Sequence, residues 1–334
     1  MHRVIALAGC LALGAGCSSP SGGGTSASGG ASASGGASAS GGASASGGAS
    51  ASGGASASGG ASASGGASAS GGTSATGGTV SATGGAVSTT GGVGGASVRL
   101  PTANASFDYQ IGGDYTPPTG VRIVSRDRNS PPASGLYNIC YVNGFQTQPG
   151  EDSFWQNQHP TLLLRDAGGA LVIDEDWNET LLDTRTDAKR AELATVVGGW
   201  IEGCAKSGFD AVEIDNLDSA SRSKGLLSDD NNVAFMALLS KVAHANGLAI
   251  AQKNSAELLD CVAALGTDFA VSEECNRWDE CDAYQAAYGN LVFVIEYRQQ
   301  DFTKGCAAHP ELSIVLRDLN VSPPTSSAYV YQGC

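Results

Sequence analysis

The sequence predicts an α/β fold: a single (β/α)8 TIM-type barrel preceded by a disordered low-complexity linker. Three observations lead there. From residue 98 to the C-terminus, short apolar runs alternate with segments of helical period, as βαβ units require. Eight or nine such runs suit the roughly 250 residues of one barrel. Before residue 98 the chain cycles through Ser-Gly-Gly-Ala-Ser-Ala with no bulky residue once per turn, so nothing there can build a core.

Strands are predicted at Phe107–Ile111, Val121–Val124, Leu136–Val142 and about Leu181–Asp183. Others follow at Ala211–Ile214, Leu248–Gln252, Phe269–Val271, Leu291–Ile295 and Leu312–Leu316. Between the later strands come helices. Thr186–Lys206 places Leu193, Val196, Val197, Trp200 and Ile201 at helical spacing and meets a stop at Gly208. Asp229–Asn246 opens on acidic residues and ends at Gly247. Ser255–Leu265 has Ser255 as N-cap and Gly266 behind it, and Glu280–Tyr288 ends at Gly289. The competing arrangement is a doubly wound open sheet. That fold carries a Gly-rich phosphate loop after its first strand, and Gly112-Gly113-Asp114 is not one, which argues against nucleotide binding.

The first 17 residues read as an export signal. Met1-His2-Arg3 is positive, Val4–Gly16 is apolar and small, and Cys17 follows small residues. This layout resembles a bacterial lipoprotein signal peptide with Cys17 acylated. Cys10, behind Leu7-Ala8-Gly9, fits the lipobox pattern better but leaves the apolar region too short; a plain secretion signal is the other alternative. Residues 18–97 form the linker, with an end-to-end reach of about 50 Å. Residues 98–334 form the barrel. The expected localisation is outside the cytoplasm: a cell-envelope or surface lipoprotein held to the membrane by its N-terminal lipid, or a secreted protein.

Charge narrows the function. Of the 18 Lys and Arg, only Arg3 precedes Arg99, whereas all 32 Asp and Glu follow it. An acidic domain is no nucleic-acid binder, whose footprint is a Lys/Arg face. It suits a cationic polymer. The four His (His2, His159, His244, His309) are scattered, and Asp229-Asp230-Asn231-Asn232 lacks calcium-loop spacing, so no metal and no cofactor are expected. No Gly-x-Ser-x-Gly elbow is present.

Polar residues gather where strands end, the face that carries chemistry in a barrel. Reading those ends gives Tyr141, Asn143, Asp183, Glu213, Asp215, Asn216, Asp218, Lys253, Asn254, Glu273, Glu274 and Tyr297, with Trp278 close by. Any single one of these fits a helix cap or a loop hydrogen bond. The set, mostly carboxylates with aromatic neighbours, suggests glycoside hydrolysis, in which one carboxylic acid protonates the leaving oxygen and a second carboxylate attacks or activates water.

Phe107-Asp108-Tyr109-Gln110-Ile111, Ile139-Cys140-Tyr141-Val142-Asn143, Gly208–Asp218, Lys253-Asn254 and Ser272-Glu273-Glu274-Cys275, in this order, resemble glycoside hydrolase family 114, the endo-α-1,4-polygalactosaminidases. The resemblance implies a (β/α)8 barrel that cleaves galactosamine-rich exopolysaccharide, so the implied partner is a cationic amino-sugar polymer and the implied state a monomer. It maps the catalytic Asp onto Asp215 and the catalytic Glu onto Glu273, with Glu274 as alternate. Tyr141, Asn143, Asp183, Glu213, Asn216, Asp218, Lys253, Asn254, Trp278 and Tyr297 are then substrate-binding candidates. The chain departs from the family at Leu217 and Ser219-Ala220-Ser221, where Val and a Gly-Tyr pair are frequent; that loop would shape a subsite. A non-catalytic glycan-binding lipoprotein and a carboxylate glycosidase for another polysaccharide stay open as alternatives.

Seven cysteines lie in the barrel region, which suits disulfides in an exported protein. Cys275 and Cys281 bracket a short loop and are expected to bridge. The odd count leaves one over, and Cys140, within an apolar strand, is the expected free thiol.

Overall fold

The computed structural model describes residues 98–334. The expected signal peptide, Cys10, Cys17 and the linker over 18–97 lie outside the described residues. No helix among the described residues is long and apolar enough to cross a membrane.

Eight parallel strands follow one another around a nearly closed sheet. They are β1 (Phe107–Gln110), β2 (Ile123–Asp127), β3 (Tyr137–Asn143), β4 (Ala211–Asp215), β5 (Ala249–Lys253), β6 (Phe269–Glu273), β7 (Val292–Glu296) and β8 (Ser313–Arg317). A ninth, β9 (Tyr331–Gly333), pairs antiparallel with β8. β1 and β8 share no ladder. Their seam is closed by fully buried Arg317, which donates from Nη1 to Asp108 Oδ1 at 3.1 Å and from Nε and Nη2 to the carbonyls of Val330 and Ser322. A buried cation engaged on every side avoids the desolvation cost of an unpaired one.

Side-chain alternation divides each strand between two cores. Phe107, Tyr109, Ile139, Ala211, Ala251, Phe269, Val271, Phe293 and Ile295 fill the interior. Cys140, Val142, Val212, Ile214 and Ile250 point outward, against α1 (Asp187–Ser207) and α2 (Asp229–Ala245). Ala270, Val292 and Val294 pack outward against α3 (Cys281–Tyr288) and α4 (Gln299–Ala308). Leu193, Val197 and Ile201 of α1 are fully buried, each contributing about 1.5–3 kcal/mol. Thr186 caps α1 by accepting from Lys189 N, and Gly208 ends it at φ 93°, a conformation glycine adopts without strain. Ser228 and Asn231 form a reciprocal capping box at the start of α2.

Three expectations are corrected. Leu181–Asp183 is no barrel strand: Leu181 and Leu182 make only isolated bridges, to Gln146 and Leu163. The chain there has just left a two-stranded hairpin, Ile173–Asp174 with Glu179–Thr180, and its bridge partners lie outside the barrel strands. Ser255 does not cap a single helix. It sits at φ 64° with no side-chain cap bond, and a 3-10 turn over Ala256–Cys261 precedes a short helix at Val262–Leu265. Cys140 is not free. It lies on the outward face of β3 against α1, where it bridges to Cys204 with the Cα atoms 6.2 Å apart. Cys275–Cys281 and Cys306–Cys334 are also bridged.

The chain enters the barrel at the N-terminal pole. Val98 packs on the interior cluster, Arg99 pairs with Asp210 immediately before β4, and Tyr137 at the start of β3 donates its hydroxyl to the Arg99 carbonyl.

Candidate active site

The strand parity that puts Ala211 inside the barrel also aims Glu213 and Asp215 inward. On β5 it aims Lys253, behind Ala249 and Ala251, and on β6 it aims Glu273, behind Phe269 and Val271. Bulky residues thus mark the inner face of β6. Glu274 falls beyond the strand end and turns aside to pair with Arg277 at 2.7 Å.

Each of these three strands ends on its charged residue, and the next residue adopts the left-handed conformation: Asn216 (φ 67°), Asn254 (φ 50°) and Glu274 (φ 59°). Asparagine takes that region at low cost. The turn folds the side chains back onto the rim. Asn254 clamps Glu273, donating Nδ2 to Oε2 at 2.9 Å and accepting from the Glu273 backbone N at 2.8 Å. Asn216 Nδ2 donates to Asn143 Oδ1 at 2.9 Å. Gly144 allows this approach: a Cβ there would stand 2.3 Å from Ile214 Cγ2.

The centre of the site is Lys253. Its Nζ lies 3.3 Å from Asp215 Oδ1 and 3.2 Å from Glu273 Oε2, and it donates to the Tyr109 hydroxyl at 3.0 Å. The side chain is 1 % exposed, so Lys253 supports the two carboxylates from beneath rather than meeting substrate. Tyr141 donates to Asp215 Oδ2 at 2.8 Å, and Tyr297 donates to Glu273 Oε1. Asp215 and Glu273 keep 19 % and 25 % side-chain exposure, which leaves both open to the mouth of the barrel.

Burial pushes the Asp215 carboxyl up, but the Lys253 charge and the Tyr141 hydroxyl outweigh it and hold the group below the usual carboxylate range. Burial acts against the Lys253 ammonium too, yet Asp215, Glu273 and Glu213 keep it firmly charged. Glu213 lies one layer deeper and is fully buried. Burial raises it to about 7; Lys253 opposes and Asp215 adds to the rise. Ser125 donates to its Oε1 at 3.1 Å, and the Tyr109 hydroxyl adds to Ser125 in favouring the ionised form.

Other predicted residues lie elsewhere on the rim. Asp183 is buried in ion pairs with Arg185 and Lys189 at the start of α1. Asp218 is held by Arg222 at 2.6 Å. Trp278 is 45 % exposed, with the Arg277 guanidinium 4.6 Å above its ring. Asn143, nearly buried, links Asn216 to Glu179. Sequence reasoning passed over Tyr109, Ser125 and Glu179. Tyr109 and Ser125 could have been found from strand parity. Glu179 lies on a hairpin with no periodic signal. Among the described residues, Cys275, Cys281 and Glu296 form the one group spaced for a metal ion, and the disulfide engages both sulfurs.

An inward Asp and Glu on β4 and β6, bridged by one buried cation, is an arrangement suited to cleaving a glycosidic bond. Comparison with known proteins agrees. The chain shares its fold with Ega3 of Aspergillus fumigatus, solved in complex with galactosamine, at 19% identity and a TM-score of 0.59, covering 71% of this chain and 98% of that one. It is more distantly similar to the glycoside hydrolase domain of PelA from Pseudomonas aeruginosa (15% identity, TM-score 0.45, covering 71% and 98%). The α-galactosidase TtGalA from Thermus thermophilus follows at 14% identity and a TM-score of 0.43, covering 69% and 60%. No curated protein sequence matches the chain. The profile of glycoside-hydrolase family GH114 matches residues 88–334, and the chain belongs to that family.

Proposed function

We propose that this protein is an endo-acting glycoside hydrolase that cleaves galactosamine-containing exopolysaccharide through Asp215 and Glu273. The observation that carries the reading is the shared contact of both carboxylates with Lys253 Nζ. Two oxygens that touch one nitrogen can be no further apart than the two contacts laid end to end. That favours the short separation of a retaining mechanism over the wider gap that admits a water.

Asp215, held below the usual carboxylate range, stays ionised and serves as nucleophile. Its carboxylate forms a bond to the anomeric carbon as the glycosidic C–O bond breaks, and Glu273, which has to carry a proton at this step, gives it to the leaving oxygen. Glu273, now a carboxylate, takes a proton from water; that water attacks the anomeric carbon and releases Asp215. Lys253 offsets the charge that passes between the two groups. Ega3 bound galactosamine, which supports an amino sugar at this site. An acidic surface suits a polymer of protonated amines. Export on an N-terminal signal, with a lipid on Cys17, would place the enzyme where such polymers lie.

Release of reducing ends from de-acetylated polygalactosamine tests the reading. The wild-type chain should release them and Asp215→Asn should not. Equal release by the two ends the assignment. The anomer formed first, read by NMR, should match that of the substrate.

A further inference from the structure

The hairpin Ile173–Asp174/Glu179–Thr180 brings to the rim a carboxyl group that the reaction above leaves unused. Glu179 is 8 % exposed. Asn143 Nδ2 donates to its Oε2 at 2.9 Å, the one side-chain hydrogen bond this carboxyl makes among the described residues. The same Asn143 stands opposite Asp215 in the β3–β4 register and accepts from Asn216, so Glu179 lies in the field of the proposed nucleophile.

Most carboxylates of this rim contact a cation; Glu296, at the end of β7, is held by Asn276 instead. Asp215 and Glu273 share Lys253. Asp174 and Asp218 occupy Arg222, at 2.7 Å and 2.6 Å. Asp183 has Arg185 and Lys189, and Glu274 has Arg277. Glu179 has none. A carboxylate set in a poorly hydrated place without a counter-charge is unstable as an anion until a cation arrives. Burial, with Asp215 and Asp174 nearby, accordingly raises its carboxyl to about 7. Two residues earlier, in the hairpin turn, Trp177 is 66 % exposed and offers an apolar face of the kind on which sugar rings stack.

We propose that Glu179 determines specificity by accepting the ammonium group of an amino sugar at a carboxylate oxygen, with exposed Trp177 of the same hairpin offering a stacking face. The proposal rests on the amino-sugar reading above and adds the residue that reads the amine. An ammonium supplies the missing cation and makes a charge-assisted hydrogen bond. A hydroxyl or an acetamide leaves the carboxyl uncompensated, so selection comes from the partner left unpaired as much as from the contact made.

Equilibrium binding of galactosamine and of galactose to the full chain at pH 7, followed by NMR titration, reads selectivity without any hydrolysis. The wild-type protein should favour galactosamine by about tenfold or more. In Glu179→Gln the ratio should fall to near one, and Glu179→Asp should keep part of it. A wild-type ratio near one overturns the proposal, as does a Glu179→Gln ratio equal to wild type. If Glu179→Gln does not fold, Glu179→Asp decides, because its shorter reach must lower the ratio several-fold and an unchanged ratio overturns the assignment. Failure of the wild-type chain to cleave polygalactosamine would count against the proposed reaction alone, since the binding ratio is measured independently.

Discussion

Lys253 Nζ sits 3.3 Å beneath Asp215 Oδ1, and the same ammonium reaches Glu273. One cation therefore serves two carboxylates on neighbouring sides of the barrel mouth. Removing it leaves the Asp215 carboxylate uncompensated and takes away the contact that positions Glu273. Lys253→Met should lower kcat by at least about a hundredfold and cost about 3–5 kcal/mol of stability. It should also move the acidic limb of the kcat/KM profile upward, because Asp215 loses the charge that holds its carboxyl low. A profile displaced in rate but not along the pH axis would mean that Lys253 is structural only.

The two carboxylates should respond differently to replacement. Glu273→Ala should lose about a hundred- to ten-thousandfold on the polymer but much less on an aryl glycoside whose leaving group needs no proton. Azide should restore turnover on that aryl substrate by replacing the water that Glu273 would activate. Asp215→Ala should lose activity on both substrates. The reverse pattern would exchange the two roles.

Glu213 gives a prediction about pH and stability. Its folded-state carboxyl is raised to about 7, above the usual carboxylate value near 4.3. The native protein therefore holds this proton more tightly than the unfolded chain does. The associated stability is complete below the unfolded value and declines as pH rises toward 7. Glu213→Gln removes that decline. Thermal melts should show the variant gaining a few degrees on the wild type between pH 5 and pH 8. A difference in Tm that is the same at both pH values would mean that Glu213 is ionised throughout.

The disulfides should rank by the chain they close. Cys140 and Cys204 are 64 residues apart, Cys275 and Cys281 only 6. On the loop-entropy account the first contributes about 4 kcal/mol and the second about 2 kcal/mol. Denaturant unfolding of the two Ser–Ser double variants compares them directly. The short bridge follows directly on Glu274 and flanks Trp278, so its loss should raise KM more than it lowers Tm.

Much of the fold and of the site is legible in the sequence. Strand identity followed from β-branched runs and turn residues, and all eight barrel strands overlap the apolar runs that predict them, with inner residues alternating from Phe107 to Val315. Asp215, Lys253 and Glu273 were visible because each closes a regular strand. The sequence could not choose between Glu273 and Glu274 by the size of their neighbours, because the inner face of this barrel accepts both Ala211 and Phe269. Leu181–Asp183 misled because an apolar run covering the core from a loop has the same composition as a strand. Cys140 misled because an apolar strand buries a bridged sulfur as readily as a thiol. Glu179 stayed hidden because its position depends on Asn143, 36 residues away, and not on any local period.

The entry of the chain at Val98 has a bearing on access. Arg99 and Asp210 fix that junction below the sheet, while Asp215 and Glu273 open at the other end of the same strands. The Arg99–Asp210 junction therefore belongs to the face that substrate never needs. A long polymer can settle across the open mouth without meeting that ion pair.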